Sequence, residues 1–381
     1  MYQQLFASAR ARRRRLIAAT ATAVVLLVAV VTAALVFTRP GPTTPRARTT
    51  PTPLHLTFDT HLTSVAMVSA TEGWAVGFEG PGTHPYLLHL RHNAWAEETL
   101  PPVRIVPQAI AMVSASEGWI AGADAFATGA HGVLLHGLGG QWSAVALSAQ
   151  VGPIAGLAML SPSEGWAVAT NHAEDGHARI LHYVQGAWTI AFSLPDASTL
   201  LSIAMVSPTE GWAAGANASD TSASAIWHFA SGAWQSVALT DPARADLEYI
   251  SMRSPDEGWG IGVSPLPAHQ GDQYARQAGA IWHYSGGQWQ VEERYADDPG
   301  QAVYLTALLA VAPDDVWVAE ADGTGKRFLH RVGGAWQKVS APIRDGINSI
   351  AMVSASEGWA VGDAGQMLHY AHGAWVDAVA L

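Results

Sequence analysis

Residues 350–376 read IAMVSASEGWAVGDAGQMLHYAHGAWV. Ile350 to Ser354 is a short apolar run of strand length, and Ala355, Ser356, Glu357 and Gly358 are turn-like. Trp359 to Gly362 forms a second run, a Gly-containing loop leads to Met367 to Tyr370, and a turn at Gly373 leads to Trp375 to Ala380. No apolar run reaches the roughly 10–12 residues of a helix before Gly or a turn cluster interrupts it. The stretch therefore predicts four short strands, lettered A to D.

The same unit recurs seven times from about residue 54. Its first tryptophan, at the start of strand B, is Trp74, Trp119, Trp166, Trp212, Trp259, Trp317 and Trp359, at spacings of 45, 47, 46, 47, 58 and 42. Its second, in strand D, is Trp95, Trp142, Trp188, Trp234, Trp289, Trp336 and Trp375. Four strands per unit of this length predict an all-β, seven-bladed β-propeller of four-stranded antiparallel blades. A solenoid would need atypical polar units at both ends, whereas the first and last units here are among the most regular. Leu54 to Phe58 reads as an additional strand that could help close the ring against the last blade.

Antiparallel strands place the A–B and C–D turns on one face of the disc and the B–C loops and D–A links on the other. On the first face lengths are fixed: the turn before the B tryptophan is always SxxEGW-like, and strand C histidine to strand D tryptophan is six residues in every unit. On the second, the step from B tryptophan to C histidine runs 15, 17, 16, 16, 24, 13 and 10. Loops that vary in length carry specificity while fixed turns carry the fold. Any binding site is therefore expected on the B–C/D–A face, where the blades converge on the central channel. The candidates are His269, Asp272, Tyr274 and Arg276 in the fifth unit's insertion, His172, Glu174, Asp175 and His177 in the third unit's loop, and Tyr295, Asp297 and Asp298 in the fifth-to-sixth link.

A histidine recurs near the end of strand C: His89, His136, His182, His228, His283, His330 and His369. An acid recurs two residues before the B tryptophan: Glu72, Glu117, Glu164, Glu210, Glu257, Asp315 and Glu357. Third strands lie well out from the axis, too far apart for neighbouring histidines to share a metal at about 2.0–2.1 Å. The histidines are expected to pack by the tryptophans and to bond to the acid or a turn backbone group, since a half-buried imidazole needs a partner. Tryptophan at every blade reads in the same way, as inter-blade packing.

The chain has 381 residues, no cysteine and only 13% charged residues. It therefore has no disulfide, no thiolate metal site and no cysteine nucleophile. Residues 1–48 hold eight Arg and no acid; residues 49–381 hold all 31 acids against 12 Arg and Lys, a charge of −19. So acidic a folded part argues against a nucleic-acid partner, which needs clustered Lys and Arg. No motif calls for a cofactor or a metal, and calcium-loop spacing is absent.

Leu16 to Phe37 is an uncharged run of 22 residues, as a helix about 33 Å long and close to a bilayer's hydrocarbon thickness. Arg10 and Arg12 to Arg15 precede it, and the positive-inside rule places residues 1–15 in the cytoplasm. The competing reading is a cleaved signal peptide, whose apolar region is shorter and ends in small residues; here Leu35, Val36 and Phe37 continue the run. The expected organisation is a basic cytoplasmic N-terminus (1–15), a single transmembrane helix acting as signal-anchor (16–37), a Pro/Thr-rich tether (38–53) and an extracytoplasmic propeller (54–381).

The phrase SxxEGWAVGxxGxxLHYxxGxW resembles repeats of the bacterial BNR-like and YVTN-like (WD40-type) propellers. It also resembles the photosystem II assembly and stability factor family, whose units share a Gly-Trp second strand and a tryptophan after a glycine turn. The resemblance covers about 54–381 and implies a propeller, an architecture that hosts many unrelated activities. The sialidase Asp-box differs: the corresponding turn here, as in YVQGAW, is shorter and has no aspartate. No family residue carries over as catalytic. The sequence thus points to a non-enzymatic binding or scaffold module for a protein, peptide or glycan, with an extracellular, sialidase-like glycan-active hydrolase or lyase as the alternative.

Overall fold

The structure is a computed structural model. It describes residues 54–80, 84–124, 130–170, 175–194, 199–216, 224–239, 241, 245–265, 277–295, 303–321 and 325–379. The expected transmembrane helix and tether lie outside this set. Among the described residues no helix is long and apolar enough to cross a membrane.

Among the described residues twenty-eight strands form seven four-stranded antiparallel sheets in strict chain order. In blade 1, strands A to D are Thr60–Ser69, Glu72–Glu79, His84–Arg91 and Ala94–Glu97. Blades 2 to 7 begin at Val106, Ile154, Thr199, Tyr249, Tyr304 and Ile347, and blade 7 ends at Asp377. Each A strand lies beside that of the next blade, and blade 1 lies beside blade 7. The ring therefore closes, with every blade using its own fourth strand.

The expected strand at Leu54 to Phe58 is absent: residues 54–57 are irregular and Phe58 is in a turn. Leu56 is nonetheless buried against Trp359, Val361 and Met367 of blade 7. Apolar contact across the seam replaces the extra hydrogen-bonded strand. In blade 7 strand A starts earlier than the sequence suggests, at Ile347, and strand B takes in Glu357 and Gly358.

The fixed turn lengths have a local cause. In the C–D turn of every blade two successive residues have positive φ, from His92–Asn93 (51° and 61°) in blade 1 to His372–Gly373 (53° and 80°) in blade 7. That is the two-residue hairpin whose twist matches the strands, and Gly or Asn tolerates it best. In the A–B turn the serine hydroxyl accepts the N–H two residues on, as Ser114 does from Ser116 (3.1 Å) and Ser354 from Ser356 (3.2 Å).

Strand periodicity sets Glu72 and Trp74 on one face of strand B, with His89 directly opposite Trp74. In all seven blades histidine and tryptophan rings stack, with centroids 3.8–4.4 Å apart and planes within 26°. Histidine Nε2 meets the acid at 2.7 Å for His89–Glu72, 3.1 Å for His136–Glu117 and 2.8 Å for both His283–Glu257 and His330–Asp315. His182–Glu164, His228–Glu210 and His369–Glu357 pair alike.

In six of the seven blades the other side of the B tryptophan meets the next blade through the residue that follows that blade's strand C histidine. Trp119 meets Tyr183 (4.8 Å) and Trp188 (5.4 Å), Trp166 meets Phe229 (4.8 Å), and Trp212 meets Tyr284 (5.3 Å). Trp317 meets Tyr370 (4.9 Å), and the Arg331 guanidinium lies 4.8 Å over Trp259. Trp359 closes the ring by packing with Leu90 and Trp95 of blade 1. Aromatic pairs of this kind contribute about 0.5–1.5 kcal/mol each beyond area burial.

Candidate functional site

The variable face is built where strands A and C begin and strands B and D end. There each A strand carries one extra residue relative to B, a β-bulge, visible in the register shifts at Leu62/Ser64, Pro107/Ala109, Leu200/Ser202, Leu305/Ala307 and Ile347/Ser349. Bulges bend a strand and re-aim its side chains. The extra residues are Thr63, Gln108, Ala155, Leu201, Thr306 and Asn348, with Glu248 in the equivalent place in blade 5. Two of them visibly staple one blade to the next: Thr63 Oγ1 donates to Pro107 O (3.1 Å), and Asn348 Nδ2 donates to Leu62 O (3.0 Å).

At the seam between blades 7 and 1, Asn348 Nδ2 also donates to Asp363 Oδ1 (3.0 Å), which sits 2.8 Å from His61 Nδ1. The seam is thus closed on this face by a His–Asp–Asn cluster as well as by apolar packing.

Buried charge concentrates on blades 5 and 6. The strand B position three residues after the tryptophan is glycine in five blades and Ala169 in blade 3; in blade 6 it is Glu320, only 2% exposed. A Cβ on Gly77 or Gly262 would lie 2.2 Å from His61 O or 2.0 Å from Asp246 O, so these two positions demand glycine. Glu320 faces Arg327 on strand C, with Oε2 3.3 Å from Nε. Beside it lies Tyr295, whose phenol pKa is raised by burial first and then by the negative charges of Glu293, Glu320 and Glu292. Asp246 and Glu248 are also buried. Asp246 accepts the Val263 N–H through Oδ1 and the Trp282 indole N–H through its carbonyl (2.9 Å). Arg294 pairs with Asp241 and donates to Ser264 Oγ (3.2 Å).

Of the residues singled out from the sequence, Asp175, His177 and Tyr295 are described. His172, Glu174, His269, Asp272, Tyr274, Arg276, Asp297 and Asp298 lie outside the described residues. Asp175 pairs with the buried Arg179, and His177 Nδ1 donates to Leu194 O (2.7 Å). These two belong to blade 3 and Tyr295 to blade 5, with blade 4 between them. Among the described residues no group of three or more His, Cys, Asp or Glu could hold a metal ion. Glu320 and Glu248 were legible as the acids that interrupt a glycine position and a bulge position in aligned repeats.

No protein-family model matches the chain, and no curated protein matches it. Solved structures match in fold. YCF48 bound to a D1 peptide superposes with a TM-score of 0.58 at 17% identity, over 84% of this chain and 95% of that one. YCF48 from Cyanidioschyzon merolae gives 0.56 at 14%, over 84% and 98%. The GH74 xyloglucanase from Xanthomonas campestris gives 0.63 at 12%, over 85% of this chain and 55% of that one. At these identities the likeness is one of fold, and the chain is a seven-bladed β-propeller similar to the photosystem II assembly factor propellers.

Proposed function

We propose that the chain is a membrane-anchored, extracytoplasmic module that binds a protein, peptide or glycan through its variable-loop face, without itself catalysing a reaction. One contrast carries the reading. The constant face repeats a carboxylate, a histidine and a tryptophan in each blade and spends them on its own packing. The variable face changes chemistry from blade to blade, through the bulge series Thr63, Gln108, Ala155, Leu201, Glu248, Thr306 and Asn348 and the Glu320–Arg327–Tyr295 group. Surfaces that differ at each position of a repeated scaffold are where recognition is built. YCF48 holding a D1 peptide is a propeller of similar extent with a peptide on it, which favours a peptide among the three partner classes.

The test is an array of peptides and glycans probed with the purified full-length chain and with Glu320→Gln and Arg327→Gln variants. Selective binding that weakens about tenfold or more in both variants supports the reading; binding unchanged in both removes the variable face from it.

A second reading, a glycan-active hydrolase or lyase, is favoured by the buried carboxylates Asp246, Glu248 and Glu320 on one side of the ring. Two carboxylates in unlike surroundings are what glycoside hydrolysis needs. Release of new chain ends from a polysaccharide panel, abolished by Glu248→Gln or Glu320→Gln, would establish it.

A further inference from the structure

The aromatic contact between blades is interrupted once. At six boundaries the B tryptophan is covered by the residue after the next blade's strand C histidine: Leu90, Tyr183, Phe229, Tyr284, Arg331 or Tyr370. Between blades 1 and 2 that residue is Gly137. The Trp142 ring leans over it, so a Cβ on Gly137 would lie 2.8 Å from Trp142 Cε2 and Cζ2. Among the described residues no ring of blade 2 pairs with Trp74 as rings do at the other boundaries, and Trp142 packs only against the apolar cluster around it.

What remains is a cavity of about 300 Å³, floored by Trp74, walled by Trp142 and Met112, and rimmed by Arg91, Glu98 and Glu117. It opens on the constant face, between the A–B and C–D turns of blade 2. An engineered cavity of about 150 Å³ already accepts benzene. Burial would raise the Glu98 carboxyl, but its hydrogen bond to His89 and the charges of His89 and Arg91 hold it below the usual range, so it is ionised at neutral pH.

We propose that this slot binds a tyrosine or phenylalanine side chain presented by a partner polypeptide. The site is separate from the variable face and does not depend on the reading given for it. The protein itself displays the complement: four of its boundaries fill the same slot with Tyr or Phe. The phenols of Tyr284 and Tyr370 lie close enough to the preceding blade's Glu210 and Asp315 to feel their charge. An incoming phenol would likewise find carboxylates at the rim, able to accept its hydrogen bond.

The chain has no cysteine, so one introduced cysteine reports on one place. Ala115 lines the slot, and the equivalent Ala355 sits at the boundary filled by Tyr370; both are exposed. Full-length A115C and A355C proteins are labelled with a maleimide with and without the peptides Ala-Tyr-Ala-amide and Ala-Ala-Ala-amide. At a tyrosine peptide concentration about three times its Kd, labelling of A115C slows about fourfold, because only free sites react. A355C is unaffected, the alanine peptide has no effect, and adding G137Y to A115C abolishes the protection. Equal rates at A115C with and without the tyrosine peptide overturn the proposal, as does protection that survives G137Y or is equal at A355C. If G137Y fails to fold, A115C against A355C decides alone. Protection by a glucan oligosaccharide but not by the peptide also overturns it.

Discussion

Ala310 and Val316 face each other across strands A and B of blade 6, where the other six blades set a methionine against a glycine. In blade 3 the Met159 sulfur occupies the space of a Gly165 side chain, 2.3 Å from where its Cβ would be. Blade 6 moves the bulk from one strand to the other and keeps the layer filled. Gly165→Val alone is therefore expected to destabilise by about 1–3 kcal/mol through overpacking. Adding Met159→Ala, which recreates the blade 6 pair, is expected to recover most of that loss. A double-mutant cycle by urea denaturation checks it; additive single effects would show that the two positions do not share a space.

A second expectation concerns acid. Glu98 accepts from His89 Nδ1 at 2.8 Å and has a carboxyl pKa held below its ordinary 4.5. A carboxylate depressed on folding contributes stability above its unfolded pKa and loses it as pH falls through the folded value. Glu98→Gln should lower Tm at pH 7, and the gap from wild type should narrow once pH drops below 4.5. Parallel Tm curves from pH 7 to 3 would contradict this.

Much of this was legible in the sequence, because the propeller writes its contacts at fixed intervals. Trp74, His89 and Glu72 recur at positions that antiparallel pairing must bring together, so the stacked and hydrogen-bonded trio follows from spacing alone. Leu54 to Phe58 misled because its apolar residues signal burial but not a free sheet edge; blade 7 already has its fourth strand. The bulges at Thr63 and its equivalents have no residue-type signature, so only the register reveals them. Gly137 carries no signal of its own in a chain with 37 glycines. Its meaning appears only when the six residues filling the same slot are compared.

The C–D turns offer a backbone test. Gly186 has φ of +81° and open space around its missing Cβ. Gly186→Ala is expected to destabilise by about 1 kcal/mol from the left-handed conformation alone. Gly325, where a Cβ also meets open space and no left-handed backbone is required, provides the comparison. Chemical denaturation of both variants measures the difference, and equal losses would place the effect elsewhere.

The proposed topology can be read with single cysteines in cells expressing the chain. With the N-terminus inside and the propeller outside, a membrane-impermeant maleimide should label A115C in intact cells. It should label Ser8→Cys only after lysis. The reverse pattern would invert the orientation, and loss of Ser8→Cys from the mature chain would identify a cleaved signal peptide in place of the anchor.

Tyr295 gives the last prediction, because it tests whether the charges on blades 5 and 6 act as one group. Its phenol is pushed well above 10.0 by burial, with Glu293, Glu320 and Glu292 adding to it in that order. A group whose folded pKa is raised contributes stability below its unfolded pKa, lost as pH climbs toward the folded value. Difference titration of tyrosinate absorbance between wild type and Tyr295→Phe should therefore show a phenol ionising above ordinary tyrosine, and the variant should be less sensitive to alkali. In Glu320→Gln the Tyr295 titration should move part of the way down and no further, since burial is the larger cause. A full return to the ordinary value would mean that Glu320 also holds the ring in its buried place. No movement at all would separate Tyr295 from the Glu320–Arg327 pair and leave the variable face with two independent polar sites.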